Sequence, residues 1–227
     1  ENGVADPCEF CGFVQQKRFS VTYEGLYTYN NQGPMTFQMM LYQDGRISFQ
    51  YQRVHQIAEA TIGMEAPGDE FSQQYTFGEI NVQDDTTLIF TPNGEGFDVE
   101  SSRDVGGPPF EWANPDVGDG DPTTLELGDD TSTVVLLPFP FNFQGRIYTD
   151  VHVASNGYFW FGDSDSQQAS AAWENRDLPT DRPWEGFIGG LWMDLNPVNQ
   201  NHPGTVRVSQ DTVQCGQDCV DIWGGYA

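Results

Sequence analysis

The chain has 227 residues, with 34 Asp and Glu against 9 Lys and Arg, a formal net charge of −25 and a single lysine, Lys17. Such a surface repels phosphate backbones and anionic lipid, which argues against nucleic-acid binding and against docking on acidic membranes. Aromatics at 14%, 25 glycines and 14 prolines, with no helical apolar periodicity and no run near the roughly 18 apolar residues of a membrane span, point to short strands and tight turns.

Residues 1–18 read as an N-terminal arm carrying Cys8 and Cys11. From Phe19 the pattern alternates: Phe19, Val21 and Tyr23 against Ser20, Thr22 and Glu24 is the period of a half-buried strand. Met35, Phe37, Met39 and Leu41 continue it, Gln43-Asp44-Gly45 supplies a turn, and Ile47, Phe49 and Tyr51 return. Thr36–Tyr51 is therefore predicted to be a hairpin, because Gly accepts the positive φ the turn demands. Ala60–Met64 and Thr87–Phe90 are short strands, joined by a polar connection with room for a minor strand. Residues 93–109 carry turn formers and charge with little apolar content and read as a linker.

Beyond it, Leu125–Leu127 and Val134–Leu137 are predicted strands separated by Gly128-Asp129-Asp130. Pro138 and Pro140 cannot donate to a ladder, so Leu137–Phe141 belongs at a sheet edge or a bulge. Val151–Val153 and Tyr158–Phe161 flank Ser155-Asn156-Gly157, a second hairpin signal. Phe187–Leu195 is apolar enough for burial on both faces. Val206–Val208 and Val220–Trp223 form a last strand pair, with Cys215 and Cys219 at its turn. The chain begins with Glu and shows no apolar targeting stretch, as expected of a processed mature form or an excerpt of something larger.

The residues so placed resemble a known family. Leu137-Pro138-Phe139-Pro140-Phe141, Phe143-Gln144-Gly145, Ser155-Asn156-Gly157-Tyr158 and Leu191-Trp192-Met193-Asp194-Leu195 look like the opening half of nidogen-type (NIDO-like) extracellular domains and related modules of secreted bacterial proteins. Val21-Thr22-Tyr23-Glu24-Gly25, Thr36–Leu41 and Asp44-Gly45 resemble the closing half. The halves stand in reversed order: 19–92 closing, 110–227 opening. The resemblance implies an all-β antiparallel sandwich, jelly-roll-like, in an extracellular, non-catalytic module used in adhesion or matrix. It supplies no catalytic residues.

Half a sandwich leaves strand edges and an apolar face unpaired, and each invites a partner strand. The same chain can supply it, as a circular permutant. A neighbouring molecule can supply it, and a repeated head-to-tail contact then gives an open filament. A flanking tandem repeat can also supply it, or two small β domains fold side by side. The reading favoured is an extracellular structural subunit assembling head-to-tail into a filament or matrix, with copies of itself as partner. On this reading Phe13, Phe19, Val21, Tyr23, Val220, Ile222, Trp223 and Tyr226 form the subunit interface. The alternative is a monomeric adhesion or glycan-binding module of a larger secreted protein.

Cys8, Cys11, Cys215 and Cys219 read as disulfides formed outside the cytoplasm, local or crossed at the join. Four-thiolate zinc fits the spacing, but an oxidising compartment disfavours it. The loop Asp116, Asp119, Asp121, with Asp129 and Asp130 and with Asp194 if the fold brings it close, is a candidate Ca²⁺ site, since such loops let several oxygens converge on a hard cation. His55, His152 and His202 stand in no recognisable catalytic setting, and His152 is expected to face solvent. Of the six tryptophans, Trp173 and Trp184 lie in turn-rich segments and are the better candidates for an exposed sugar-stacking ring.

Overall fold

A computed structural model describes residues 14–54, 59–66, 70–78, 82–162, 172–181 and 184–215. The first half of the chain supplies β1 (Val14–Thr28), β2 (Met35–Tyr42), β3 (Ile47–Arg53), β4 (Ala60–Glu65), β5 (Ser72–Gly78), β6 (Thr86–Pro92) and β7 (Phe97–Ser101). The second supplies β8 (Thr123–Thr124), β9 (Ser132–Phe143), β10 (Arg146–Ala154), β11 (Tyr158–Trp160), β12 (Phe187–Trp192), β13 (Leu195–Asn196) and β14 (Thr205–Cys215). The strands form two antiparallel sheets. One runs β7-β6-β3-β2-β1-β14-β8, with β13 added beside β1; the other runs β5-β4-β12-β11-β10-β9.

The alternation read from the sequence decides which face each residue takes. Phe19, Val21, Tyr23, Phe37, Met39, Phe49 and Tyr51 point inward from the first sheet, and Phe141, Val151, Val153, Phe159, Ile188 and Leu191 meet them from the second, all in one core. Two tyrosines cross that core: Tyr23 donates its hydroxyl to Ala154 O at 2.8 Å and Tyr51 to Gly190 O at 2.6 Å. Each satisfies a polar tip that would otherwise be costly at full burial. Gly190 lets Met39 pack closely against β12, because a Cβ there would lie 2.6 Å from the Met39 side chain.

Both sheets are mixed in origin. The halves meet along β1–β14, paired from Val14↔Cys215 to Glu24↔Thr205, and along β4–β12, from Phe187↔Glu65 to Trp192↔Thr61. The main core cluster draws on both halves, while a smaller one comes from the second half alone. Within this chain the two halves therefore share both sheets and the main core. Phe19, Val21 and Tyr23, expected at a subunit interface, are buried inside the chain's own sandwich. Phe13, Val220, Ile222, Trp223 and Tyr226 lie outside the described residues.

The halves are joined by residues 102–122, which pass from β7 at one edge of the first sheet to β8 at the other. The crossing runs over the sheet's outer face: buried Gln38 donates to Thr22 Oγ1 at 2.9 Å and to Ala113 O at 2.6 Å. That cover explains why β2 is buried on both faces although its sequence alternates. On the outer face of the second sheet Ala172, Leu178 and Trp184 pack with Tyr158, Trp160, Phe187 and Trp192 in a smaller cluster.

Several expectations are corrected. Phe97–Ser101, read as linker, is β7, paired with β6 through a turn closed by Asn93 N to Gly96 O at 3.1 Å. Its Asp and Glu face out while Phe97 faces the core, so charge masked a real alternation. Leu125–Leu127 is no strand; it follows the two-residue β8, and Leu125 N bonds Val206 O at 2.8 Å. Val206–Val208 belongs to β14, which pairs with β1 and β8, and Val220–Trp223 lies outside the described residues. His152 stacks on Trp160 at 4.5 Å, with Nε2 3.1 Å from Gly162 O. Trp184, expected to be exposed, is buried against Phe187 at 4.5 Å. The proline-bearing strand β9 does occupy a sheet edge.

Candidate carboxylate site and adjoining cleft

The turn between β10 and β11 organises the most concentrated chemistry among the described residues. Gly157 holds φ +77°, and a Cβ there would fall 2.2 Å from Leu191 O, so only glycine lets β12 pass so close. The same turn buries Asn156 completely. Its Nδ2 donates to Asp130 Oδ1 at 2.8 Å, its Oδ1 accepts from Leu195 N at 2.8 Å and its carbonyl accepts from Met193 N at 3.2 Å. One side chain therefore places the residues on both sides of Asp194 and fixes Asp130 opposite.

Asp129, Asp130 and Asp194 bring one carboxylate oxygen each within 4.8 Å of the others, all three half-buried. Burial, then the charges of Asp130 and Asp129, push the Asp194 carboxyl up from 3.8 to about 6. Burial, then the Asp130 charge, also raises Asp129, against a backbone hydrogen bond that lowers it. Asp129 Oδ1 is buried with no hydrogen-bond partner, and among the described residues none of the three carboxylates forms an ion pair. This is an all-oxygen donor set whose mutual repulsion a hard divalent cation such as Ca²⁺ would relieve.

The acidic loop read as part of that site is divided. Asp129 and Asp130 join Asp194, but Asp116 pairs with Arg207 at 2.9 Å, and Asp119 donates its N–H to Gln210 O at 3.1 Å and accepts from the Thr212 hydroxyl. Asp121 is exposed. Loop residues 116–119 thus lie along β14. Sequence spacing grouped neighbours in the chain, whereas the site is made by a turn, a buried amide and the β12–β13 junction. Asn156 was read only as a turn former; its role as a positioning side chain has no local signature.

Asp194 also borders a cleft of about 310 Å³ lined by Thr28, Asn30, Gln32, Glu59, Trp173, Glu174, Asn175 and Met193. Trp173 is 50% exposed there, as its setting led one to expect, while Met193 is buried in the floor. Of the cysteines, Cys215 ends β14 opposite Val14, and Cys8, Cys11 and Cys219 lie outside the described residues.

A family model described as NIDO related matches residues 113–211. The match begins in the connection and runs from β8 into β14, taking in the turn that carries Asp129 and Asp130 as well as Asn156 and Asp194. No curated protein and no solved structure matches the chain.

Proposed function

From a nidogen-related segment at residues 113–211, set in an all-β sandwich, we propose that the protein is an extracellular, non-catalytic structural subunit whose working interface is the contact between its two half-domains. The observation that carries this reading is the double seam. The sandwich closes between halves mainly through two strand ladders and core packing, and residues 102–122 join the halves covalently. That link has 21 residues, counted inclusively from 102 to 122, a contour of at most about 70 Å. It crosses seven strands at roughly 4.8 Å spacing, about 29 Å. The same ladders formed between neighbours give a head-to-tail filament without any new surface. Disulfides between the cysteine pairs of neighbouring molecules would make such a join covalent.

Closure of both seams within one chain favours a second reading, a monomeric adhesion module of a larger secreted protein. A tethered partner has an effective concentration of order mM, so a dilute, natively purified chain is expected to be a monomer on either reading. The two separate on refolding at high protein concentration, followed by light scattering and negative-stain microscopy. Chain-length multiples of 25.4 kDa and filaments support the subunit. A single monomeric species at all concentrations and after refolding sinks it in favour of the module. Mass spectrometry without reduction then reports whether cysteine pairs cross between molecules.

A further inference from the structure

We propose that the cleft beside Trp173 binds neutral sugar units of a glycan. The inference does not depend on whether the half-domains close within one chain or between two.

Four features of the cleft converge on this ligand class. An indole ring that is half exposed offers a flat apolar face, and the C–H face of a pyranose stacks on such a ring. Around it stand planar hydrogen-bonding groups, the amides of Asn30, Gln32 and Asn175 and the carboxylates of Glu59 and Asp194. These are groups that can donate to and accept from vicinal hydroxyls. Among the described residues no Lys or Arg lines the cleft, so uronic and sialic acids are repelled while uncharged hydroxyls are not. Its volume, about 310 Å³, lies at the small end of ligand pockets and suits a short stretch of chain rather than a large ligand.

The walls are held in place before any ligand arrives. On one side, Trp192 donates its indole N–H to Ala172 O at 2.8 Å, and Thr61 donates to Arg176 O at 2.8 Å, so the segment bearing Trp173 and Asn175 is fastened at both ends. On the other, Gln32 N donates to Thr28 Oγ1 at 3.0 Å, and buried Asn199 donates to Asn31 Oδ1 at 3.0 Å, bracing the turn that carries Asn30 and Gln32. Backbone fastened on both sides of Trp173 means that less of the cleft has to be ordered on binding, the condition for useful affinity from a small contact.

The test is a glycan array spanning neutral, amino and acidic glycans, followed by titration calorimetry with neutral hexasaccharides, polygalacturonate and oligo-lysine. Wild type, Trp173→Ala, Trp173→Phe and Asn175→Ala are compared, with light scattering on the same samples to separate glycan binding from assembly. At least one neutral glycan is expected to bind, at least tenfold more weakly to Trp173→Ala and with a smaller loss for Trp173→Phe. Because Trp173 is half exposed, its melting temperature should be unchanged, which excludes unfolding as the cause. Absence of neutral binders, affinity indifferent to Trp173→Ala, or preference for polygalacturonate or oligo-lysine each overturns the proposal.

Discussion

Replacing Asp194 by Asn should stabilise the protein at neutral pH and not at acidic pH. The Asp194 carboxyl sits among Asp129 and Asp130, and burial with their charges pushes it from 3.8 to about 6. A carboxyl whose folded value lies above its unfolded one binds its proton more tightly in the folded state. Between about pH 4 and 6 the folded chain therefore holds a proton that the unfolded chain has released, and stability falls as pH rises through this window. Above it the charged form carries the full cost. The displacement corresponds to about 3 kcal/mol at the limit, and solvent screening on a half-exposed group reduces this to about 1–1.5 kcal/mol. Asp194→Asn removes the charge and keeps the shape, so it should recover that amount at pH 7.5 in chelator. For a domain of this size the melting temperature rises by roughly 2–6 °C. At pH 4.5, where wild-type Asp194 is already protonated, the two proteins should melt together. Calorimetry of both across pH 4–8 decides it. A variant no more stable than wild type at pH 7.5, or a gain that persists unchanged at pH 4.5, refutes the reasoning.

Millimolar Ca²⁺ should raise the wild-type melting temperature over chelator at pH 7.5, by a margin that grows with concentration and disappears in Asp194→Asn; equal shifts in both proteins would place any cation elsewhere. Asn156→Ala should cost about 2–3 kcal/mol in urea unfolding, because Leu195 N loses its buried acceptor and Asp130 its donor. Gly157→Ala should cost about 3 kcal/mol or more, since it combines a positive φ with a Cβ 2.2 Å from Leu191 O; a soluble variant with wild-type stability would mean the turn can open. Tyr51→Phe leaves Gly190 O without its 2.6 Å partner between the sheets and should cost about 1–2 kcal/mol by the same measurement.

Local pattern determined the parts of this protein that depend on neighbours in the chain. Alternation of Phe19, Val21 and Tyr23, the turn at Asp44-Gly45 and the turn at Asn156-Gly157 were legible because side-chain period and turn conformation are properties of a few consecutive residues. The two prolines confined Ser132–Phe143 to an edge for the same kind of reason. Pattern failed where burial came from elsewhere. Gln38 is fully buried because a connection between the halves crosses above it, and Trp184 because it packs on Phe187 and Trp192 of β12. The candidate sites are of this second kind. Asp129 and Asp130 meet Asp194 across 64 residues, counted from 130 to 194, and Trp173 faces Asn30 across a cleft that neither segment builds alone. Sequence determined which strands and turns form; only the tertiary structure brought strands from both parts of the chain into two shared sheets and one core, because pairing of distant edges depends on which surfaces the whole fold leaves open.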